Sequence, residues 1–404
     1  MTSRAPFALG GVLAAAVLLT ACQSAPAPES APADADATGD GHGAIEGATE
    51  LAEPALHLTS VAPDGVVHHL DLLDEQTTTL GEIAPADDLA TDGRFLYAER
   101  DGEISIVDSG AWTWNHVDHF HYYEAPAATL GEVVGDGTPQ TVASDLGAGV
   151  FFTGGDAVLL DLDALKKGSI VERFRLEVAP HDGMVVPLPI GALVTDPDAG
   201  GLRHVDADGT ELEVVPCAEP SGSIATNVGV VVGCDDGAVL AVTDADGTTF
   251  ERVPYPSGAA DRALSFSARE GRPTVAGFTG TEAFWLLDTR ERTWTRIDAG
   301  EELVRVSAVD DADQNVVALT ADGAVLVLSG ESGTALARTE PLVAASLADP
   351  ALAGGVSLTV DQNRTYLGGP AEKAMFEIDP ADDARIARTF ETSYAPMLVA
   401  ETGR

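Results

Sequence analysis

The segment VGVVVGCDDGAVLAVTDADGTTFERV, residues 228–253, contains the repeating unit of this chain. Two short apolar runs flank the dipeptide Asp236-Gly237, and a more polar run follows at 247–253. Asp-Gly dipeptides tolerate the positive φ angles that a tight hairpin turn needs. The segment therefore predicts three consecutive antiparallel strands joined by short turns.

Similar units recur along most of the chain. Apolar strands that end near an Asp or Ser lie at residues 66–71, 104–108, 158–161, 202–206, 239–243, 284–288, 325–329 and 375–379. Their ends are 37 to 53 residues apart, and a second apolar strand precedes most of them. Three or four short strands per unit, repeated every 40–50 residues or so, are typical of a β-propeller.

We therefore predict an all-β fold, a single propeller of eight blades, with seven as the alternative because the terminal units are ambiguous. The unit at 56–83 lacks an innermost strand, and the tail at 396–400 can supply it. Strands from both termini would then close the ring and remove the sheet edges that invite aggregation. A two-sheet sandwich gives no reason for eight similar units.

Residues 1–21 have the features of a bacterial lipoprotein signal peptide. Arg4 precedes an apolar run at 7–19, which is too short for a mature membrane span and leads into Leu-Thr-Ala before Cys22. We expect cleavage before Cys22, lipid attachment to it and an extracytoplasmic protein anchored to the cell membrane. An ordinary signal peptide with an incidental cysteine is the alternative.

The next segment, residues 22–50, is rich in Ala, Pro, Asp and Gly and poor in large apolar residues. Such a segment cannot bury a core, so we predict a flexible tether followed by the propeller domain at 51–404. Two cysteines, Cys217 and Cys234, remain in the mature chain besides Cys22. Outside the cytoplasm this pair predicts a disulfide, with two buried thiols as the alternative.

The charge of the chain limits its partners. The 404 residues include 22 Lys and Arg but 65 Asp and Glu, a net charge of −43. A surface of this sign repels nucleic acid and anionic lipids, which leaves the lipid anchor as the only membrane contact. It attracts cations. We also predict that the protein is a monomer.

The densest set of possible metal ligands lies in NHVDHFHYY, residues 115–123. His119 and His121 are two residues apart, so in an extended segment they point the same way and can share one ion. Neutral imidazole favours Zn²⁺. His116 and Asp118 can add a further ligand or orient the others.

Aligning Trp114 with Trp294 places His116 and Asp118 at the end of an outer strand. His119 and His121 then fall in the connection to the next blade. Zinc usually takes four ligands, and His181 begins an innermost strand two connections later. Because these connections open on one propeller face, we predict that His181 joins the site. Of the other histidines, His42 is interpreted as a tether residue. Four are interpreted as structural: His57, His68, His69 and His204. His68 and His69 are adjacent and should face opposite ways.

Common enzyme motifs are absent from the sequence. It contains no Gly-x-Ser-x-Gly, no Gly-x-Gly-x-x-Gly after a strand and no Cys-x-x-Cys. We therefore predict a protein that is not an enzyme.

The stretch WTWNHVDHFHYY at 112–123 resembles the AztD family of extracytoplasmic β-propeller zinc chaperones, as do Pro180-His181-Asp182-Gly183 and the cysteine pair. The resemblance implies a metallochaperone that carries Zn²⁺ to the solute-binding protein of a zinc ABC importer. Two other classes stay open. One is a propeller oxidoreductase or hydrolase with a metal or quinone in the central channel, and the other is a non-catalytic interaction scaffold.

Overall fold

The computed structural model describes residue 45 and residues 47–115 and 119–404. The predicted signal peptide, Cys22, most of the tether, His116 and Asp118 lie outside the described residues. Strands dominate this part of the chain. Neither of its two short helices is long and apolar enough to cross a membrane.

The first half of the described chain contains eighteen strands and one helix. They are β1 (Thr49–Leu51), β2 (His57–Val61), β3 (Val66–Asp71), β4 (Thr77–Glu82), β5 (Asp88–Thr91), β6 (Phe95–Arg100), β7 (Glu103–Asp108), β8 (Ala111–Asn115), β9 (Phe120–Glu124), β10 (Ala128–Val134), β11 (Pro139–Ser144), β12 (Gly147–Phe152), β13 (Asp156–Leu160), α1 (Leu162–Leu165), β14 (Glu172–Glu177), β15 (Val185–Pro187), β16 (Ala192–Asp196), β17 (Gly201–Val205) and β18 (Glu211–Pro216).

The second half continues the same pattern. It contains β19 (Ser221–Ala225), β20 (Val230–Cys234), β21 (Gly237–Asp244), β22 (Gly247–Pro254), β23 (Ser265–Ser267), β24 (Thr274–Phe278), β25 (Ala283–Asp288), β26 (Thr293–Asp298), β27 (Leu303–Ala308), β28 (Asn315–Thr320), β29 (Val325–Ser329), β30 (Ala335–Arg338), α2 (Ala344–Ala348), a 3₁₀ turn (Ala353–Gly355), β31 (Leu358–Val360), β32 (Thr365–Gly369), β33 (Ala374–Asp379), β34 (Arg385–Glu391) and β35 (Met397–Thr402).

The described strands form eight four-stranded antiparallel sheets and one three-stranded sheet. In chain order the four-stranded sheets are β35-β2-β3-β4, β5-β6-β7-β10, β11-β12-β13-β14, β15-β16-β17-β18, β19-β20-β21-β22, β23-β24-β25-β26, β27-β28-β29-β30 and β31-β32-β33-β34. The three-stranded sheet has the order β1-β9-β8. This series of sheets agrees with the propeller that the repeats predict.

Apolar side chains of consecutive sheets pack together. Ile104 of the second sheet shares a cluster with Val158 of the third. The next residue, Leu159, points the other way into a cluster with the fourth sheet. Successive strand residues face opposite sides, so a strand covered on both sides needs an unbroken apolar run. This explains why the repeating strands read as continuous apolar segments.

The two ends of the folded chain meet in the first sheet. β35 pairs antiparallel with β2, with His57 opposite Thr402 and Leu58 opposite Glu401. The tail thus supplies the strand that the first unit lacked, as the sequence predicted. Met375 of the last sheet also shares a core cluster with Leu70 of the first.

One part of the sequence alignment is wrong. Trp114 does not lie on an outer strand equivalent to that of Trp294, because β10 pairs with β7 and forms that edge. β8 and β9 instead form a hairpin inserted between β7 and β10, paired with β1. Thr49 and Glu50 of β1 therefore belong to a sheet, although the sequence analysis assigned them to the tether.

The disulfide between Cys217 and Cys234 is confirmed. Cys217 follows β18 of the fourth sheet and Cys234 ends β20 of the fifth, with their Cα atoms 5.3 Å apart. Both residues are buried in the cluster that joins these two sheets. The bond therefore links neighbouring sheets.

We expect the double variant Cys217→Ala/Cys234→Ala to lose about 3 kcal/mol of unfolding free energy, since the bond closes a short loop in the unfolded chain. The two cysteines are 17 positions apart in sequence. Urea unfolding of the variant and of reduced wild type measures the loss. A change below about 1 kcal/mol would show that the loop-closure argument fails here.

Candidate metal centre

The inserted hairpin is held in place by specific contacts. Thr113 Oγ1 donates a hydrogen bond to the Gly403 carbonyl at 2.9 Å. The guanidinium of Arg94 lies 3.8 Å from the ring centroid of Trp112 and pairs with Asp108 at 2.7 Å. These contacts fix the base of the hairpin, whereas His121 lies farther along it, opposite Trp114.

His121 lies on β9 and is 7% exposed. Its Nδ1 is 2.6 Å from Oε1 of Glu50 on the neighbouring strand β1. A carboxylate in this position favours hydrogen on Nδ1, which leaves the lone pair of the ring at Nε2. Metal-binding histidines commonly have such a carboxylate partner.

His119 lies beside His121, as the two-residue spacing predicted. The ring centroids are 4.6 Å apart and the planes are inclined at 60°. His119 is exposed, whereas the indole of Trp114 stacks on His121 with centroids 5.5 Å apart. The pair therefore combines one buried, oriented imidazole with one that solvent can reach. His116 and Asp118 were predicted to join this pair, but they lie outside the described residues.

The structure does not bring His181 to this pair. Nδ1 of His181 is 2.7 Å from the Ala179 carbonyl, and Nε2 is 2.8 Å from Oγ1 of Thr195. Both ring nitrogens thus have protein partners. Over residues 45, 47–115 and 119–404, no three His, Cys, Asp or Glu side chains are arranged to hold one ion.

Sequence reasoning missed a second pair of histidines. His57 and His69 stack with ring centroids 3.8 Å apart and an angle of 17° between planes. The cause is the β2–β3 register, which places His57 opposite Asp71 and Thr59 opposite His69. Alternate residues of paired strands share a face, so both histidines lie on one side. Only the strand register, combined with period-two alternation, would have revealed this.

Burial keeps both of these imidazoles uncharged at neutral pH. It lowers the pKa of His57, although Asp71 and Glu124 act in the opposite direction. It also lowers the pKa of His69 to about 3, with the neighbouring His57 as a second cause. Neutral imidazole is the form that binds a metal ion.

The other two strand histidines have different surroundings. His68 faces away from His69, as predicted, and its ring stacks on Tyr394 with centroids 3.5 Å apart. His204 is buried edge-on against Phe250. Both contacts agree with the structural roles that the sequence suggested.

No protein-family model matches the chain, and no curated protein sequence matches it. Among solved structures, Citrobacter koseri AztD matches with a TM-score of 0.74 and 21% identity, over 87% of this chain and 98% of that chain. The apo structure of the same protein gives the same values. This chain has the fold of AztD. The resemblance carried by residues 112–123 is thus confirmed at the level of the fold.

Another match is Chaetomium thermophilum Sqt1 bound to the N-terminus of ribosomal protein L10. Its TM-score is 0.52 at 13% identity, over 83% of this chain and 92% of that one. A fold hosts many functions, so the AztD likeness at 21% identity leaves the function to be argued from the site.

Proposed function

We propose that this protein is an extracytoplasmic metallochaperone that binds Zn²⁺ and delivers it to the solute-binding protein of a zinc ABC importer. The observation that carries the proposal is the pairing of His119 and His121 on the inserted hairpin, with the Glu50 carboxylate at Nδ1 of His121. The likeness to AztD in fold supports the same function, as does the resemblance of residues 112–123 to that family.

The ligand chemistry suits a site that exchanges its ion. Imidazole nitrogens bind Zn²⁺ at about 2.0–2.1 Å, and a site with exchangeable positions differs from a closed structural site. Exposed His119 can release the ion to an incoming donor while buried His121 holds it. His116 and Asp118 precede His119 in the sequence and would complete the coordination.

The scaffold in this proposal is a closed ring of eight blades. Eight core clusters among the described residues support it, because each lies between consecutive sheets and one lies between the last and the first. A closed ring of blades leaves only short sheet edges and presents its insertions rigidly. The hairpin is such an insertion.

We also propose that Cys22 carries a lipid that anchors the protein outside the cytoplasm, with a tether leading to β1. The net charge of −43 favours the accumulation of cations near the molecule. Both features suit a protein that captures metal at a cell surface, and neither requires catalysis.

Zinc transfer provides the direct test. Protein purified without a His tag is loaded with Zn²⁺ and mixed with the apo solute-binding protein of a zinc importer. We expect the ion to pass to this partner faster than it is released to a small chelator, because transfer through shared ligands avoids a free ion. Failure to bind zinc would reject the proposal, and equal rates would reject direct delivery. Turnover or an absorbing redox cofactor would instead favour an enzyme.

Removing the partner of His121 gives a sharper prediction. Glu50→Ala should weaken zinc binding about 10- to 100-fold, since the loss of a carboxylate that orients a ligating histidine typically has this effect. Competition with a chromophoric chelator measures the affinity. Deletion of residues 23–44 is the matched control, because it retains Glu50 and should leave zinc affinity unchanged. If Glu50→Ala binds zinc like wild type, His121 is not held as a ligand.

A further inference from the structure

A series of stacked side chains connects the buried histidine of the hairpin to the second sheet. His121 of β9 stacks on Tyr123, with ring centroids 6.1 Å apart and planes inclined at 19°. Tyr123 stacks on Trp112 of β8, with centroids 5.3 Å apart and an angle of 22°. The guanidinium of Arg94 lies 3.8 Å from the Trp112 ring centroid. We call these four planar groups the stack.

Strand register explains why the rings of the stack lie on one face of the hairpin. Trp112 is opposite Tyr123, and Trp114 is opposite His121. Directly opposite residues of antiparallel strands share a face, as do residues two apart on one strand. Tyr123 is 1% exposed, and Trp114 also stacks on His121. A buried ring that packs on two aromatic neighbours has little freedom to turn.

Arg94 is itself held firmly by the second sheet. Its Nε and one terminal nitrogen donate to the two carboxylate oxygens of Asp108 at 3.0 and 2.7 Å. Arg94 immediately precedes β6, and Asp108 ends β7. The backbone N–H of Arg94 also donates to Oδ1 of Asp92 at 3.0 Å. A two-bonded arginine–carboxylate pair fixes the plane of the guanidinium, so Arg94 presents a rigid cationic surface to the Trp112 ring.

We propose that Arg94 is a positioning residue of the hairpin zinc site, which fixes the Trp112 and Tyr123 rings and through them the orientation of the His121 imidazole. The inference rests on the proposed function, because it takes His121 as a zinc ligand. Glu50 favours hydrogen on Nδ1 of His121, whereas the stack determines where the plane of that ring lies. A ligand that is oriented before the ion arrives loses less freedom on binding.

The zinc affinity of Arg94→Ala, measured by competition with a chromophoric chelator, tests this inference. We expect binding about fivefold weaker than in wild type, the factor that corresponds to one cation–π contact of about 1 kcal/mol. Arg388→Ala is the matched control, because Arg388 makes the same two kinds of contact in the eighth sheet. Its guanidinium lies 4.9 Å from the Phe390 ring centroid and pairs with Glu377. This control should lower the melting temperature but leave zinc affinity unchanged.

A double-mutant cycle distinguishes positioning of His121 from a general loosening of the hairpin. Tyr123→Leu interrupts the stack between Trp112 and His121 and should itself weaken zinc binding, whereas Tyr123→Phe keeps a ring and should bind zinc more nearly like wild type. Adding Arg94→Ala to Tyr123→Leu should have at most about a twofold further effect, since both residues act through one series of contacts. If the two effects multiply instead, Arg94 does not act through the stack and the inference is wrong.

A measurement on unmodified protein guards against variants that misfold. In nuclear magnetic resonance spectra, the indole N–H signal of Trp112 should shift when Zn²⁺ is added. The signals of Trp285 and Trp294, which pack together in the core between the fifth and sixth sheets, should not shift. An unchanged Trp112 signal together with wild-type zinc affinity in Arg94→Ala would overturn this inference alone. Wild-type protein that binds no zinc would overturn both this inference and the proposed function.

Discussion

His119→Ala and His121→Ala should each lower the zinc affinity of the hairpin site at least tenfold. Removing one of three or four ligands is expected to cost more than about 1.4 kcal/mol of binding free energy, and this equals a factor of ten. The effect of His121→Ala should be the larger, because it removes the buried imidazole that the Glu50 carboxylate orients. Competition with a chromophoric chelator measures the affinity of each variant.

The control for these variants is His181→Gln. Both ring nitrogens of His181 already have protein partners, so its replacement should leave zinc affinity unchanged. None of the three variants should unfold the protein, and melting temperatures verify this. If zinc affinity survives in both hairpin variants but falls in His181→Gln, the metal site lies elsewhere and the chaperone proposal loses its main support.

Glu99→Gln should stabilise the protein at pH 8 by up to about 3 kcal/mol and change its stability little at pH 5. Glu99 lies on β6, is 8% exposed, and accepts the backbone N–H of Thr141 at 2.7 Å. Burial raises its pKa from 4.5 to about 7. Glutamine keeps the shape and the acceptor of the protonated acid but carries no charge at any pH.

The sign of this effect follows from the direction of the shift. Between pH 4.5 and about 7 the folded state binds a proton at Glu99 more tightly than the unfolded chain does. The contribution of Glu99 to the stability of the folded state is therefore complete below pH 4.5. It is lost as the pH rises through the folded-state pKa of about 7. Burial also raises the pKa of Glu401 to about 7, which acts in the same direction. His69, with its lowered pKa, acts oppositely below pH 6.5.

Urea unfolding of Glu99→Gln and wild type between pH 5 and pH 8 measures the effect of this carboxyl on stability. The titration of the histidines cancels in the comparison, because both proteins have the same histidines. Glu331→Gln, at an exposed position, is the control and should follow the wild-type curve. Parallel curves for Glu99→Gln and wild type would mean that Glu99 is ionised without cost in the folded state. The predicted gap between the curves should widen from pH 5 to about pH 7 and then level off.

The sequence predicted the repeating strands well because each is a short, nearly unbroken apolar run ended by a turn. One example is VGVVVG, residues 228–233, where the structure contains β20. Successive side chains of this strand face opposite sides, and each side is covered by a neighbouring sheet. The tail strand β35 was predicted because the first unit lacks an innermost strand, and the disulfide because an extracytoplasmic chain has one pair of cysteines besides Cys22.

The first strand of the inserted hairpin was mistaken for the outer strand of a blade. Both are short polar strands that contain a Trp, so their sequences do not distinguish them. Trp114 lies on β8 and Trp294 on β26, and only long-range pairing distinguishes them. β10 occupies the outer edge that the alignment gave to β8. The sequence spacing of His119 and His121 was nevertheless enough to predict that their rings meet, since strand alternation is a local property.

The sequence by itself determined the all-β repeat, the cysteine pair and the neighbouring positions of His119 and His121, because each depends on residues close together or on composition. Only the tertiary structure decided that Glu50 reaches His121, that His181 is bonded elsewhere and that His57 stacks on His69 beside Asp71. These contacts depend on strand register and on which sheets lie side by side. A shift of one residue in register turns every side chain to the opposite face, so local pattern alone cannot determine them.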